Sequence, residues 1–95
     1  MKTYRVELES RAKKELLSLP HKIRNQLAGA IDDLGCNPRP PGAKKLIGPY
    51  GYRLRKGTYR LLYTIDDKKQ LLRLYRIGHR REVYRNLGTR CVSPD

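Results

Sequence analysis

A histidine, three arginines and a tyrosine lie within seven residues near the carboxyl end of the chain. They are His79, Arg80, Arg81, Tyr84 and Arg85. An arginine guanidinium offers a planar fork of donors that matches phosphate oxygens, and histidine exchanges protons near neutral pH. A tyrosine ring stacks on nucleic-acid bases or donates a hydrogen bond. The segment therefore predicts a surface that handles RNA.

The charge of the chain points to the same kind of partner. The chain has 95 residues and a formal net charge of +13. Neutralising phosphates with basic side chains releases counterions and supplies affinity that does not depend on sequence. Residues 44–90 carry 14 Lys or Arg, nine of them Arg, against three acids, so this half is the expected polyanion-binding part. A basic surface that only confers solubility is the alternative, and the bias toward arginine disfavours it.

Cysteine usage and hydropathy narrow the setting. Cys36 and Cys91 lack the spacing of a zinc site or a disulfide framework, and we expect both to be free thiols. The amino terminus has no apolar signal core, and no stretch approaches the roughly 18 apolar residues of a membrane span. These features predict a cytoplasmic protein.

The first 35 residues predict one strand and two helices. Tyr4, Val6 and Leu8 alternate with polar residues, which is typical of a half-buried strand. Ser10 is placed to cap a short helix that Pro20 interrupts. A second helix is indicated by an apolar stripe that Gly35 is placed to terminate. The stripe consists of Ile23, Leu27, Ala30, Ile31 and Leu34.

The rest of the domain predicts a three-stranded antiparallel meander. A proline-rich loop over residues 36–42 leads to strands at residues 50–56, 58–65 and 70–77, with turns between them. The expected fold class is α+β: one amino-terminal strand, two helices and the meander in one sheet, with the helices on one face and the other face available. We expect a single domain over residues 1–95, with its core at about 3–86 and a tail at 87–95.

Alternation along the predicted strands places basic side chains on one face of the sheet. Arg53 and Arg55 share a face, opposite Tyr52 and Leu54. Arg60 on the next strand is the candidate third cation of that face. The last strand is apolar on both sides, as expected of a central strand. The segment that begins at His79 is expected to be a loop or helical turn that could overhang the arginine face.

Several motifs, taken in order, resemble the RelE branch of the RelE/ParE toxin superfamily over residues 3–86. The motifs are Lys45-Leu46 followed by Gly48, Tyr52-Arg53-Leu54-Arg55, Tyr59-Arg60-Leu61-Leu62-Tyr63 and Ile77-Gly78-His79-Arg80-Arg81-Glu82-Val83-Tyr84. The resemblance implies a RelE-like fold and a ribosome-dependent endoribonuclease that cuts mRNA in the decoding site. It also implies a cognate antitoxin that holds the toxin inactive, in a complex expected to be a hetero-oligomer.

The resemblance carries site roles to particular positions. Arg53 and Arg55 match the basic pair of one strand, which is lysine in well-known relatives, and Arg60 matches the basic residue of the next strand. Arg80 and Tyr84 match the arginine and the tyrosine after the last strand. The expected catalytic residues are Arg53, Arg55, Arg60, His79, Arg80 and Tyr84. The expected additional RNA-binding residues are Lys44, Lys45, Arg81 and Arg85.

Arginine chemistry divides the expected roles. With a pKa above about 12, arginine is a poor general base, so the arginines are expected to stabilise the phosphate. His79 is expected to act as acid or base and Tyr84 to stack on or orient a base. No metal or cofactor is expected, because the basic side chains supply the charge that divalent ions provide elsewhere.

Two other functions are compatible with the sequence. A ParE-like protein of the same fold would poison DNA gyrase, although such relatives tend to lack the arginine and tyrosine after the last strand. A non-catalytic RNA- or ribosome-binding module is conceivable because arginine replaces the lysine pair. Ribosome-dependent cutting of mRNA would separate the expected function from both.

Overall fold

The computed structural model describes residues 4–46 and 48–79. The helices are α1 (Ser10–Leu17) and α2 (His21–Cys36). The strands are β1 (Arg5–Leu8), β2 (Ala43–Lys45), β3 (Tyr52–Lys56), β4 (Tyr59–Asp66) and β5 (Leu71–His79). A single 3₁₀ turn, Gly48–Tyr50, precedes β3 in this part of the chain. The α+β class and the two helices are therefore as predicted, but the sheet differs in detail.

The described strands form one mixed sheet in the order β1-β5-β4-β3-β2. The predicted meander is present as β3, β4 and β5, although β3 begins at Tyr52 and not at Tyr50. β1 pairs with β5 in parallel, and the long connection that parallel strands require runs through both helices and the other three strands. β2 was not predicted, because its three residues, two of them lysines, show no apolar alternation. The expected sheet of four strands is thus corrected to five.

Helix ends also differ from the prediction. Ser10 is the first helical residue, and Glu9 occupies the cap position. Gly35 does not terminate α2, which continues to Cys36 before Asn37 adopts an extended conformation at φ −144°. The Gly35 carbonyl accepts the backbone N–H of Tyr4 at 3.0 Å. The end of α2 is therefore fixed to the start of β1.

The main core lies between the helices and one face of the sheet. The helices contribute the fully or nearly fully buried Ala12, Leu27, Ala30, Ile31 and Leu34, so the predicted stripe of α2 faces the sheet. The sheet contributes Leu61, Tyr63, Leu72, Leu74 and Ile77. Each fully buried leucine or isoleucine stabilises the fold by about 1.5–3 kcal/mol relative to an exposed one. This core supports the meander from the helix side and leaves the opposite face of the sheet outside it.

That opposite face is partly covered, contrary to the prediction that it stays available. Leu46 and Leu62 are buried in a second apolar cluster, with Tyr50 and Tyr75 packed against it. The Tyr75 hydroxyl donates to the Tyr50 carbonyl at 2.7 Å, which ties the 3₁₀ turn to β5. Lys44 and Arg53 lie on the same face as Leu62, because Arg53 pairs with both Lys44 and Leu62.

A β-bulge explains the irregular alternation along β5. Leu62 pairs with Arg76 and Tyr63 pairs with Leu74, so Tyr75 is an extra residue between them. A bulge moves the following residues to the other face, which is why the apolar residues of this segment do not alternate regularly in the sequence. β5 lies between β1 and β4, so the prediction of a central strand is confirmed.

Candidate functional site: a basic cavity on the sheet face away from the helices

Strand register brings four basic residues to the face away from the helices. Arg53 pairs with Leu62, and Arg55 pairs with Arg60. Lys44 of β2 pairs with Arg53. Because directly opposed residues lie on the same side of a sheet, Lys44, Arg53, Arg55 and Arg60 share one face. The predicted grouping of the three arginines is therefore present, and β2 adds a lysine to it.

An open cavity of about 300 Å³ lies at this basic edge. It is lined by Lys44, Arg53 and Arg55, with Pro41 and Gly42 forming the rest of the wall. Three cations around one cavity create a positive potential that attracts anions, and guanidinium groups bind phosphate through two parallel donors. We call this site the basic cavity. It is chemically suited to a phosphate of an RNA backbone.

The arginines of this face differ in exposure. Arg55 is exposed, whereas Arg53 is 7% exposed and Arg60 only 1%. Nη1 of Arg60 donates to the Tyr59 carbonyl at 3.2 Å and contacts the Gly57 carbonyl at 3.4 Å. Its guanidinium therefore stabilises the β3–β4 turn through the backbone carbonyls of that turn. Arg55 and Lys44 are the cations that a large anion meets directly.

His79 lies on the other side of the sheet from the basic cavity. It is the last residue of β5 and pairs with Tyr59 of β4, whose ring packs against the helix-side core. The two ring centroids are 5.8 Å apart at an interplanar angle of 74°. A cavity of about 210 Å³ adjoins His79 and is also lined by Glu15. The expected loop position over the arginine face is therefore wrong for His79.

Other predicted residues do not join the basic cavity in the described structure. Lys45 pairs with Tyr52, which places it on the helix side of the sheet edge. Arg80, Arg81, Tyr84 and Arg85 lie outside the described residues, as does Cys91. Sequence reasoning also missed Pro41 and Gly42 as cavity walls, since only the pairing of β2 with β3 reveals their position.

A network centred on Arg39 fixes the loop that leads to the basic cavity. Its guanidinium binds both carboxylate oxygens of Asp67, at 3.3 and 3.0 Å, and its Nε donates to the Tyr52 hydroxyl at 3.0 Å. The neighbouring Pro38 carbonyl accepts the buried Tyr63 hydroxyl at 2.8 Å. Pro38 and Arg39 are thus held against β3, β4 and the β4–β5 turn.

Hydrogen bonding and burial shift the pKa values of four side chains in this network, and the hydrogen bond to Asp67 raises that of Arg39. The hydrogen bonds from Arg39 and from the Tyr4 hydroxyl lower the pKa of Asp67. The hydrogen bond to Asp67 raises the pKa of Tyr4. Burial raises the pKa of Tyr63, so its hydroxyl stays protonated and remains a donor to Pro38. The network is therefore charged and fully formed at neutral pH.

The described residues hold neither a metal-binding cluster nor a membrane-spanning helix. Residues 4–46 and 48–79 contain no group of three or more His, Cys, Asp or Glu side chains placed to hold a metal ion. No helix among them is long and apolar enough to cross a membrane.

Comparison with known proteins identifies the family. Residues 6–84 match the sequence model of the family described as ParE toxin of type II toxin–antitoxin system, parDE. The chain is 35% identical to the toxin RelG of Mycobacterium tuberculosis, over 86% of this chain and 97% of the relative. The chain therefore belongs to the RelE/ParE superfamily of type II toxin–antitoxin toxins.

Solved structures place it in the RelE branch, as the sequence motifs predicted. The RelBE2 toxin–antitoxin complex of Mycobacterium tuberculosis gives a TM-score of 0.73 at 32% identity, covering 82% of this chain and 99% of that chain. The archaeal RelE–RelB complex of Pyrococcus horikoshii gives 0.74 at 29% identity, covering 83% and 97%.

Proposed function

We propose that this toxin is a ribosome-dependent endoribonuclease that cuts mRNA in the cytoplasm and thereby inhibits translation. The observation that supports this proposal is the convergence of Lys44, Arg53 and Arg55 on one open cavity. A cavity lined by three cations is suited to binding a phosphodiester. The protein also belongs to a superfamily of toxins that includes RelE. The ribosome would supply the ordered mRNA that such a small enzyme needs.

The basic cavity would act on the phosphate and not on protons. Cleavage by the 2′-hydroxyl places additional negative charge on the phosphate, and preorganised donors stabilise that charge in the transition state. Arg55 would contact the phosphate directly. Arg53, which is more deeply buried, would make the electrostatic potential of the cavity more positive. Arg60 would hold the β3–β4 turn, since its Nη1 bonds the Tyr59 carbonyl. Lys44, in the wall of the basic cavity, would contact a flanking nucleotide, whereas Lys45 lies on the helix side of the sheet and would not.

Proton transfer requires groups other than these arginines, whose pKa lies above about 12. Tyr84 and Arg80 are proposed to complete the site, and Arg81 and Arg85 to bind RNA beside it.

For His79, a role as acid or base requires the imidazole to reach the arginine face, whereas its ring packs on Tyr59 across the sheet. We therefore propose that His79 is dispensable for proton transfer. Divalent metal is not required in this scheme, because the basic side chains provide the positive charge.

A cognate antitoxin is the proposed partner. The RelBE2 and archaeal RelE–RelB structures are complexes of a toxin with its antitoxin. A chain with a net charge of +13 would be complemented by an acidic protein that blocks access to the basic cavity. Co-expression with a neighbouring small acidic reading frame should yield a co-purifying complex that does not inhibit translation.

Primer extension tests the proposed activity. An mRNA is translated in a purified system with added toxin, and the same mRNA is incubated with toxin without ribosomes. We expect cuts within codons only when ribosomes are present. Uncut mRNA with unchanged translation would contradict the proposal, whereas uncut mRNA with blocked translation would indicate a non-catalytic ribosome-binding module.

Inhibition of DNA gyrase is a second candidate, because the matching family model is described as ParE toxin. The discriminating measurement is a supercoiling assay with purified gyrase and the same toxin preparation. We expect supercoiling to be unaffected at toxin concentrations that cut mRNA on ribosomes. Loss of supercoiling without mRNA cleavage would favour the gyrase function.

A further inference from the structure

Strand β5 extends beyond the end of its neighbour β1. The parallel pairing of the two strands reaches only Leu8 and Leu74. The Glu9 N–H then donates to the Leu74 carbonyl at 2.9 Å, and the chain turns into α1. Among the described residues, no strand accompanies β5 past Leu74 on that side. Backbone donors there need another acceptor, since unpaired buried N–H groups are costly.

Glu15 of α1 provides that acceptor. Its Oε1 accepts the backbone N–H of Ile77 at 2.8 Å. Its Oε2 accepts Nε of Arg76 at 3.2 Å, and the Arg76 side chain is only 8% exposed. Arg11, one helical turn earlier, approaches the same oxygen at 3.6 Å from the outer side. Hydrogen bonds to a charged acceptor are shorter and stronger than neutral ones. The carboxylate therefore replaces the missing strand partner.

The residue held in this way is close in sequence to the predicted site. Ile77 precedes His79 by two residues and Arg80 by three. β4 fixes β5 from one side through the pairing of Leu61 with Ile77. Glu15 fixes it from the other side through the backbone itself. The backbone of β5 at Ile77 is thus held by α1 as well as by the meander.

We propose that Glu15 is a positioning residue for the proposed cleavage: by accepting the backbone N–H of Ile77 it fixes the end of β5, the strand that precedes Arg80 in the sequence. This inference rests on the proposed endoribonuclease function. A small displacement of a charge-stabilising group weakens catalysis more than it weakens binding, because transition-state contacts depend strongly on geometry. Loss of Glu15 should therefore lower the cleavage rate with little effect on ribosome binding.

Two substitutions separate positioning from general stability. Glu15→Gln keeps an oxygen that can accept the Ile77 N–H, whereas Glu15→Ala removes it. Val6→Ala is the control, because Val6 packs on the same core from β1 and pairs with Leu72, away from Ile77. All variants are compared with the parent protein well below their melting temperatures, so that each is folded.

Amide hydrogen exchange by NMR measures the anchor without reference to activity. We expect exchange at Ile77 to be about tenfold faster in Glu15→Ala and nearly unchanged in Glu15→Gln and Val6→Ala. In single-turnover cleavage at saturating ribosomes, we expect a loss of about tenfold or more in Glu15→Ala, with ribosome affinity within about twofold. Glu15→Gln should restore most of the rate.

Each outcome decides a separate claim. An unchanged exchange rate of the Ile77 amide in Glu15→Ala would contradict the anchoring of β5 by Glu15. Faster exchange with full cleavage, or an equal loss of cleavage in Val6→Ala, would overturn the positioning role. If the parent protein itself fails to cut mRNA, the proposed function and this role in it both fail, and the exchange data still decide whether Glu15 anchors β5.

Discussion

Two glycines with the same backbone constraint allow the packing of β3 to be tested. Gly51 and Gly57 have φ values of +85° and +63°, a region that favours glycine. A Cβ on Gly57 would meet nothing within 4 Å. A Cβ on Gly51 would overlap the carbonyl of Tyr63 and touch the methyl of Thr64. Alanine at the two positions therefore differs mainly in the contact with β4.

The magnitudes follow from these surroundings. A left-handed alanine costs about 1–2 kcal/mol, which is the whole expected loss for Gly57→Ala. Gly51→Ala carries the same cost, and forcing its side chain against the backbone of Tyr63 adds about 1–3 kcal/mol. At about 4–8 °C per kcal/mol for a domain of this size, the second variant should melt roughly 10 °C below the first.

Urea unfolding followed by circular dichroism at 25 °C is the direct assay, with both variants fitted to a common slope. The effect of alanine on the unfolded chain is the same at both positions and cancels in the comparison. Equal losses, within about 0.5 kcal/mol, would refute the close approach of Gly51 to β4. The Gly51 carbonyl also accepts the Leu46 N–H at 2.8 Å, so displacement there should disturb the loop beside the basic cavity.

Three further outcomes are expected. Tyr63→Phe should lower the free energy of unfolding by about 1–2 kcal/mol, because the Pro38 carbonyl loses its buried donor; calorimetry checks this. Asp67→Asn should melt below the parent protein at neutral pH, and the two melting curves should converge in acid. The reason is that Arg39 lowers the pKa of Asp67 in the folded state, so the stabilisation is present above the unfolded pKa and is lost as the pH falls through the folded one. His79→Gln should retain ribosome-dependent cleavage within about threefold, whereas loss of a general acid or base costs about 10²–10⁴-fold in primer extension.

The sequence was informative where local periodicity determines structure. The stripe of α2 and the alternation in β3 and β4 were sufficient to predict the helix, two strands and the shared face of Arg53, Arg55 and Arg60. β2 escaped prediction because three residues cannot show a period. The parallel pairing of β1 with β5 joins residues about 66 apart, as in Arg5 with Leu71, and nothing local encodes it.

The burial of the site residues and the contacts between them could not be predicted from the sequence. Alternation assigns a side chain to a face but not to a depth, so the burial of Arg60 at 1% exposure was not foreseen. The position of His79 depends on the bulge at Tyr75, which shifts the facing of all later residues in β5. Glu15 reads in sequence as half of an ordinary helical ion pair with Arg11. Its contact with Ile77 exists only in the folded chain.

The most direct test of the basic cavity compares two single arginine substitutions in ribosome-dependent primer extension. Arg55 is exposed beside the basic cavity, so Arg55→Ala removes a phosphate contact with little expected effect on folding. Arg73→Ala removes the same charge from an exposed residue of β5 that pairs with Glu7 at 3.5 Å, away from the basic cavity. We predict that Arg55→Ala cuts mRNA about 100-fold more slowly and that Arg73→Ala cuts at nearly the parent rate. Equal rates in the two variants would contradict the assignment of the basic cavity as the site of cleavage.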